Sequence, residues 1–514
     1  MLGERGLWAL VDARANATPD ALLAVDEHDC VLTFGALRAR AERVAAALAA
    51  RGVNDTATVA WQLPTSIEAI VLVVALARLG ATQVPMLPLY REKETRFILG
   101  QTAPCLYLAR REWRGYAYVE RARAIIDSLG IACDTLALDD SLPEADRATL
   151  PLPPAPDQGD SVRWVFFTSG TTADPKGALH TDASIAAGSA AVAEAYAMTE
   201  HDRYPIVFPF THIGGIGMLF IQLLTGCGAV AVEQFIADRT PALLARHGIT
   251  IAAGGTPLAL VYLQQQRLHP ERPLFPELRA VMTGAAPKPP ALHDELRHEM
   301  GGSGALSCYG LTEAPFLTVS DVADSDDTRA RTEGRPIAGA TLRIVDSEGH
   351  PCPPGTRGEI QATGPQICRG YLDSSRNDEA FDGQWFRTGD LGVLDDDGYL
   401  VITGRLKDII IRKGENIAAK EIEDMLHEFP GIADVAVVGL PDALLGERCC
   451  AVVVARVGAE PFGLADIAAF CRARAIAVQK TPEQLEIVVE LPRNASGKVL
   501  KYQLVERYSL PLAV

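Results

Sequence analysis

The sequence predicts an α/β protein with a large N-terminal domain of layered α/β subdomains, a small β-barrel-like subdomain and a small α+β domain at the C-terminal end. Three observations support this prediction. Helix-like and strand-like stretches alternate up to about residue 339. Short strands separated by Gly, Asp and Pro come next, and a compact unit follows residue 404. Alternating helices and strands are typical of parallel sheets covered by helices.

The N-terminal alternation begins with helix patterns rich in Ala, Leu and Arg and with short apolar strand patterns. The first predicted helices are 33–51 and 66–79, and the first predicted strands are 57–62 and 81–86. The same rhythm returns in three later stretches, 204–232, 241–253 and 257–282. Repeated strand–helix–strand units favour largely parallel sheets.

The segment after residue 339 has a different character, because its short strands and tight turns favour antiparallel pairing. The last unit contains two predicted helices and two predicted strands, at 419–428, 464–475, 435–439 and 451–455. The charged segment G-R-L-K-D at 404–408 lies between two strand patterns. We therefore expect two domains, 1–404 and 405–514.

The composition excludes several classes of protein. The chain has 514 residues, of which 48% are hydrophobic and 22% charged, which is typical of a soluble protein with more than one domain. The net charge of −17 argues against nucleic acid or an anionic membrane as a partner. The N-terminal segment lacks the apolar core of a signal peptide, so we expect a cytoplasmic protein. Ten cysteines without C-x-x-C spacing indicate neither disulfides nor a zinc site.

One uncharged stretch, 213–232, has the length of a bilayer crossing. Five glycines interrupt it, and a Gly-Cys-Gly turn at 226–228 divides it into a helix-like and a strand-like part. We predict a buried helix and strand here, and no integral membrane association.

The stretch W-V-F-F-T-S-G-T-T-A-D-P-K-G at 164–177 indicates a phosphate-binding loop after a buried strand. Small residues and hydroxyls there offer backbone N–H and side-chain O–H groups to an anion, and Lys176 adds a positive charge. The loop is not the G-x-x-x-x-G-K-[ST] loop, because Pro175 and Gly177 occupy the wrong positions. A solvated surface turn is the alternative for such a loop in isolation.

Six further motifs follow in order. They are F-P-F-T-H-I-G-G-I-G at 208–217, M-T-G-A-A-P at 282–287, C-Y-G-L-T-E-A at 308–314, R-T-G-D-L-G at 387–392, G-R-L-K-D-I-I-I-R-K-G-E-N-I at 404–417 and P-R-N-A-S-G-K-V-L-K at 492–501. With the phosphate loop, this series resembles the adenylate-forming superfamily of acyl-CoA ligases, carrier-loading adenylation domains and luciferases. The resemblance covers nearly the whole chain and is strongest to a stand-alone acyl-CoA ligase.

The resemblance implies ATP, Mg²⁺ and coenzyme A as cofactors and co-substrates, and assigns residues to them. The implied nucleotide- and CoA-binding residues are Thr168, Ser169, Gly170, Thr171, Thr172, Lys176, Gly284, Ala285, Ala286, Tyr309, Gly310, Asp390, Arg405, Lys413 and Gly414. Lys176 and the loop would bind the β- and γ-phosphates, Tyr309 would stack on adenine, and Asp390 would accept hydrogen bonds from the ribose.

Four residues are implied to act in catalysis. Lys498 would bridge the substrate carboxylate and the α-phosphate, and Thr312 would lie beside that phosphate. Glu313 would bind the magnesium ion, since Mg²⁺ takes its other ligands from water and phosphate. His212 would lie near the acyl carboxylate. Taken singly, a lysine in a polar loop such as Lys498 is usually solvated, and a lone histidine such as His212 is more often structural.

The resemblance further implies an acyl pocket and a hinge. Phe210, Gly214, Gly215 and Ile216 would line a roomy apolar pocket. F-P-F-T-H lacks the aspartate that amino-acid-activating members carry, so an acid with an uncharged tail is expected. Lys407 would be the hinge about which a mobile C-terminal domain rotates between the two half-reactions.

We therefore expect an AMP-forming carboxylate:CoA ligase acting on an alicyclic, aromatic or medium-chain acid. The chain ends soon after Lys501, which leaves no room for a carrier domain and disfavours the alternative, an adenylation enzyme that loads a carrier protein. Ala173 replaces the usual loop glycine, and this motivates a remote alternative, an ATP-binding pseudoenzyme. The acid, the pathway and the oligomeric state stay open, a homodimer being one expectation for the last.

Overall fold

The computed structural model of the chain describes residues 6–146, 151–156, 159–168, 175–286, 288–289, 291–442, 445–474, 476, 478–494 and 497–509. Its α-helices are α1 (Leu7–Ala17), α2 (Phe34–Ala49), α3 (Ile67–Leu79), α4 (Glu92–Thr102), α5 (Tyr118–Leu129), α6 (Asp182–Ala195), α7 (Ile213–Thr225), α8 (Thr240–Arg246), α9 (Gly255–Leu268), α10 (Leu292–Glu299), α11 (Asp326–Arg331), α12 (Asn377–Ala380), α13 (Ala419–His427), α14 (Leu464–Ala473) and α15 (Lys501–Tyr508).

The strands alternate with these helices in the first half of the chain and cluster in the second half. They are β1 (Leu22–Asp26), β2 (Val31–Thr33), β3 (Thr58–Gln62), β4 (Thr82–Pro85), β5 (Leu106–Arg110), β6 (Asp134–Leu138), β7 (Val162–Thr168), β8 (Lys176–Thr181), β9 (Arg203–Ile206), β10 (Gly228–Ala231), β11 (Ile251–Ala252), β12 (Ala280–Gly284), β13 (Ala305–Tyr309), β14 (Thr318–Val319), β15 (Arg335–Pro336), β16 (Thr341–Val345), β17 (Gly358–Thr363), β18 (Phe381–Asp382), β19 (Trp385–Leu394), β20 (Leu400–Arg405), β21 (Ile409–Arg412), β22 (Glu415–Ala418), β23 (Ile432–Asp442), β24 (Gly446–Ala455) and β25 (Gln484–Val488).

Within the described residues, these strands form five sheets. The orders are β6-β5-β3-β4-β7-β8, β2-β1-β10-β9 and β11-β12-β13-β14-β15 in the larger N-terminal part, followed by β16-β17-β19-β18 with β20 beside β19. The strands of the first sheet pair in parallel except at β7 and β8. The fourth sheet is antiparallel throughout, as expected for the small subdomain after residue 339. The α/β fold class predicted from the sequence is therefore confirmed.

Local sequence explains where individual helices begin and end. The Ser66 side chain caps α3 by accepting a hydrogen bond from the backbone of Ala69, and Gly80 ends this helix in the left-handed conformation with φ of 72°. Gly226, with φ of 84°, ends α7 in the same way before β10 begins. The stretch 213–232 is thus a buried helix and strand, as predicted. None of the helices within the described ranges has the length and apolarity that a bilayer crossing needs.

The C-terminal sheet has the order β22-β21-β24-β23, with β25 beside β24. Helices α13 and α14 share an apolar core with this sheet. Arg405 still pairs with Asp390 in the fourth sheet, whereas Ile409 already pairs with Ala418 in the C-terminal sheet. The chain therefore passes from one sheet to the other across Leu406–Asp408, a short 3-10 turn that contains Lys407.

Candidate active site

Strands β7 and β8 hold the two ends of the predicted phosphate loop together. They pair antiparallel, and Thr168 lies opposite Lys176. A Cβ on Gly177 would lie 3.1 Å from atoms of Phe167 and Val165, so glycine permits the close packing at the base of the loop. Four predicted phosphate-binding residues, Ser169, Gly170, Thr171 and Thr172, lie outside the described residues, as does Ala173.

Thr312 and Glu313, which follow β13, are held by contacts from two other parts of the chain. These are strand β8 and the segment 368–371. His180 lies 2.8 Å from the backbone oxygen of Thr312 through Nε2. Burial lowers the pKa of His180 to about 4, so the ring is neutral and Nε2–H is the donor. The Tyr371 hydroxyl donates to Glu313 Oε1 at 2.6 Å, and the backbone N–H of Cys368 donates to the Glu313 carbonyl at 2.8 Å. Thr312 and Glu313 are thus fixed from both sides.

A second cluster joins the predicted adenine and ribose residues. The Tyr309 hydroxyl donates to Asp390 Oδ2 at 2.8 Å, and Arg405 Nε lies 2.7 Å from Asp390 Oδ1. Asp390 is only 2% exposed, so these partners take the place of water around its carboxyl group. Next to Tyr309, a Cβ on Gly310 would lie 2.5 Å from the backbone nitrogen of Phe316, which requires glycine there.

The predicted adenine-binding segment, Gly284, Ala285 and Ala286, ends β12 with unusual backbone geometry. Gly284 has φ of 147° and Ala285 has φ of 60°, a left-handed conformation that is uncommon for alanine. The Thr256 hydroxyl at the start of α9 donates to the Ala286 carbonyl at 3.2 Å. The segment is therefore held in one shape by α9.

Lys498 belongs to the C-terminal unit and lies near α9 and the Tyr309–Asp390–Arg405 cluster. A Cβ on its neighbour Gly497 would lie 3.0 Å from Pro257 of α9, so the two units contact each other here. Burial, and after it the charge of Arg405, lowers the pKa of Lys498 from 10.5 to about 8, while Asp390 and Asp408 act in the opposite direction. The structure thus brings Lys498 into the electrostatic neighbourhood of the Tyr309–Asp390–Arg405 cluster.

His212 caps the N-terminus of α7, and its Nδ1 accepts a hydrogen bond from the backbone of Gly214. Burial lowers the pKa of His212, so Nε2–H is the atom that can donate to a ligand. Gly214 leaves room beside His212 and Phe208, with no atom closer than 3.6 Å to a Cβ placed on it.

The other predicted pocket residues are Phe210, Gly215 and Ile216, and they belong to the interior of the protein. Phe210 and Ile216 are completely buried in the main core. A Cβ on Gly215 would lie 2.7 Å from the Phe210 backbone, so this glycine serves the close packing of the first turn of α7. The structure therefore places the Phe210 and Ile216 side chains within the core, uses Gly215 for backbone packing, and leaves open space at Gly214 beside His212.

The predicted hinge and CoA residues are only partly described. Lys407 is exposed on the 3-10 turn between the two sheets. Lys413 and Gly414 lie outside the described residues.

The residues present fit ATP and a magnesium ion. In the described part of the chain, no group of three or more His, Cys, Asp or Glu side chains could hold a metal ion. A single buried carboxylate with one oxygen already hydrogen-bonded suits Mg²⁺ that keeps water and phosphate ligands. The paired Asp390 and Arg405 offer an acceptor and a cation for ribose and phosphate.

Comparison with known proteins agrees with this geometry. Residues 11–372 match the family model "AMP-binding enzyme", and residues 421–498 match "AMP-binding enzyme C-terminal domain". The chain belongs to the AMP-binding enzyme family. It is an AMP-forming acid–thiol ligase, as the sequence predicted.

Three curated relatives of this AMP-binding enzyme illustrate the family. A medium-chain fatty-acid–CoA ligase from Escherichia coli is 31% identical, with 98% of this chain and 91% of that protein covered. A 2-succinylbenzoate–CoA ligase from Bacillus licheniformis is 30% identical, covering 98% and 100%. A salicyl-AMP ligase / salicyl-S-ArCP synthetase from Mycobacterium tuberculosis is 32% identical, covering 98% and 91%.

Solved structures of family members share the fold over nearly their whole length. ATP-bound MatB from Rhodopseudomonas palustris is 28% identical with a TM-score of 0.87, covering 98% of this chain and 99% of that one. The o-succinylbenzoate CoA synthetase of Bacillus subtilis with ATP and magnesium ion is 28% identical with a TM-score of 0.83, covering 96% and 98%.

Three residues that position the predicted site of this AMP-binding enzyme carry no recognisable signal in the sequence. His180 and Tyr371 hold Thr312 and Glu313, and Thr256 holds the predicted adenine-binding segment. His180 lies 132 residues from Thr312, and Tyr371 lies 58 residues from Glu313. No local sequence pattern predicts these long-range hydrogen bonds, because each depends on which segments lie next to each other in the fold.

Proposed function

We propose that this enzyme converts a hydrophobic carboxylic acid to its acyl-AMP and then transfers the acyl group to coenzyme A. The reaction would take place between residues 1–404 and residues 405–514. One observation carries the proposal. Lys498 of the C-terminal unit is half-buried and within electrostatic range of Asp390 and Arg405, where a nucleotide α-phosphate and a substrate carboxylate would need a cation.

In the first half-reaction, a carboxylate oxygen attacks the α-phosphorus, and the bond to the bridging oxygen breaks with release of pyrophosphate. Two anions must approach each other, so their repulsion must be offset. Lys498 would contact both, and Thr312 would donate to the α-phosphate. Lys176 would hold the departing pyrophosphate. Glu313 would hold the magnesium ion, which when bound neutralises phosphate charge.

The nucleoside would be held by the second cluster. Tyr309 would stack on adenine, and the backbone of 284–286 would line the opposite edge of the base. Asp390 would accept hydrogen bonds from ribose hydroxyls in exchange for its present bond from Tyr309. Arg405 would then contact the ribose or the α-phosphate from the junction of the two units.

The acid would bind next to His212 and Gly214, with its tail toward Phe316. Phe316 has φ of 51°, and its ring fits a slot between two glycines. A Cβ on Gly188 would lie 3.2 Å from Phe316 Cβ, and a Cβ on Gly217 would lie 2.7 Å from Phe316 Cε2. An aromatic wall at Phe316 favours an alicyclic, aromatic or medium-chain acid.

In the second half-reaction, the thiol of coenzyme A attacks the acyl carbonyl and AMP leaves. In the adenylation arrangement Lys498 would occupy the α-phosphate side of the site, so we propose that the C-terminal unit rotates to admit the thiol. The exposed turn Leu406–Asp408, with Lys407 as hinge, lies at the passage between the two sheets. Lys413 and Gly414 would then face the acyl-adenylate.

The test separates the two half-reactions. Purified enzyme is given a panel of alicyclic, aromatic and medium-chain acids, and pyrophosphate, AMP and acyl-CoA are measured. Lys498→Ala is expected to lose pyrophosphate exchange while still forming the thioester from preformed acyl-AMP. Equal loss in both half-reactions would refute the rotation, and no AMP formation with any acid would refute the proposed substrate class.

A second candidate function is transfer of the acyl group to a phosphopantetheinyl carrier protein. The similarity to the Mycobacterium tuberculosis salicyl-S-ArCP synthetase favours it. The two functions share the first half-reaction and differ only in the thiol. Product formation with a loaded carrier protein, and none with coenzyme A, would replace our first proposal by the second.

We also propose a cytoplasmic location and a homodimer. Cell fractionation tests the location. Light scattering coupled to gel filtration tests the assembly, and a mass near the 55.0 kDa of one chain would rule the homodimer out.

A further inference from the structure

The chain segment that ends at Tyr371 runs beside β8, the strand that leaves the phosphate loop. The backbone N–H of Leu179 donates to the Gly370 carbonyl at 2.9 Å, and Ala178 forms an antiparallel bridge with Tyr371. Backbone hydrogen bonds therefore fix the position of Tyr371 relative to the base of the loop.

The side chain of Tyr371 extends from there to Glu313. Its hydroxyl donates to Glu313 Oε1 at 2.6 Å, and the two residues are 5% and 8% exposed. Burial raises the pKa of Tyr371 far above its ordinary value, so the hydroxyl keeps its proton and acts as the donor. A donor to one carboxylate oxygen restricts the carboxylate to one orientation and leaves the other oxygen for a ligand.

The ring face of Tyr371 meets the other charged group of the phosphate site. Lys176 Nζ lies 5.2 Å from the centroid of the ring, which is within the range of a cation–π contact. One buried side chain thus touches both the lysine at the end of the phosphate loop and the carboxylate after β13.

We propose that Tyr371 is a positioning residue that sets the metal affinity of the active site through its hydroxyl and the position of Lys176 through its ring. The inference rests on the roles proposed above for Glu313 and Lys176. The hydroxyl orients the Glu313 carboxylate toward the cation, and the ring restricts Lys176 to the phosphate side.

The experiment measures metal binding directly, with Mn²⁺ as the probe in the presence of a non-hydrolysable ATP analogue. Free Mn²⁺ is followed by electron paramagnetic resonance. Tyr371→Phe removes only the hydroxyl and keeps the ring. We expect its Mn²⁺ affinity to fall roughly tenfold to one-hundredfold, the usual effect of removing a partner of a metal ligand. Binding of the analogue without metal should not change.

Tyr107→Phe is the matched control. Tyr107 is also buried and donates a hydrogen bond of 2.7 Å, to Gln62 in another part of the core. Its variant should bind Mn²⁺ as the wild type does. Tyr371→Leu removes the ring as well, and it should additionally weaken metal-free binding of the analogue, because Lys176 loses its contact.

Glu313→Gln separates failure of this inference from failure of the proposed function. If Glu313→Gln binds Mn²⁺ more weakly than the wild type but Tyr371→Phe binds it equally well, only the role of Tyr371 would be overturned. Unchanged Mn²⁺ binding in both would overturn the metal site itself. If Tyr371→Phe also lost metal-free binding of the analogue, its hydroxyl would support the fold in general and the inference would be wrong. In a Glu313→Gln background, Tyr371→Phe should have no further effect on Mn²⁺.

Discussion

The charge of Lys498 should control the rate of acyl-AMP formation near neutral pH. Burial and the field of Arg405 lower the pKa of Lys498 from 10.5 to about 8. Only the protonated amine can offset the repulsion between carboxylate and phosphate. The enzyme should therefore lose activity as pH rises through about 8, well before an ordinary lysine loses its proton.

The size of the effect follows from that shift. A change of about 2.5 pKa units corresponds to about 3 kcal/mol of differential interaction between the charged and neutral forms of Lys498. Since kcat/KM reports the free enzyme, it should fall about tenfold for each pH unit above 8. Bound ATP and carboxylate favour the cation, so the alkaline limb of kcat should lie at higher pH than that of kcat/KM.

The assay is pyrophosphate release from about pH 6 to about pH 10, with the acid below and above its KM. Lys498→Arg is the informative variant, because arginine stays protonated throughout this range. It should be slower than the wild type and should lack the alkaline limb. An alkaline limb at the same pH in Lys498→Arg, or a wild-type limb near the ordinary lysine pKa, would refute the reasoning.

Three other changes have expected outcomes. Asp390→Asn should weaken ATP binding roughly tenfold or more in calorimetry, because Arg405 loses its buried carboxylate partner at 2.7 Å; unchanged affinity would contradict the ribose site. Gly217→Ala should change the acid preference but not the KM for ATP, since its Cβ would lie 2.7 Å from the ring of Phe316. A change in the KM for ATP alone would contradict the acyl pocket. Asp202→Asn should lower the free energy of unfolding by about 3 kcal/mol at neutral pH, because Asp202 is 5% exposed and pairs with Arg279 at 2.6 Å. Burial alone would raise the pKa of Asp202, but hydrogen bonds from Arg279 and others outweigh it and lower the pKa. The stabilisation is therefore complete above the ordinary aspartate pKa and is lost as pH falls below it, so denaturant titrations of variant and wild type should converge in acid.

Local sequence predicted the elements of the fold well where their ends are chemically marked. The helix predicted at 66–79 is observed at Ile67–Leu79, between a serine cap and a left-handed glycine. The strand predicted before the phosphate loop is observed as Val162–Thr168. In both cases the signal is carried by neighbours in the chain, through hydrophobic periodicity, capping and the conformational freedom of glycine.

Contacts between distant segments were not predictable in this way. Phe210 and Ile216 are apolar residues of the kind that line a pocket, yet both are completely buried in the main core, at the segment before α7 and in its first turns. No local sequence pattern marked Tyr371 as a residue of the site. Its contact with Glu313 requires the segment before Leu372 to lie beside β8, and no pattern within either segment specifies that neighbour.

The lowered pKa of Lys498 also links the chemistry to the arrangement of the two units. Its largest cause is burial between the C-terminal unit and the neighbourhood of α9, and its second cause is Arg405 at the junction. If the C-terminal unit rotates for the second half-reaction, Lys498 is no longer buried there and moves away from Arg405. Its pKa then returns toward 10.5. The pH dependence near 8 should then belong to adenylation and be absent from thioester formation, so that the titration of one lysine reports which arrangement the enzyme occupies.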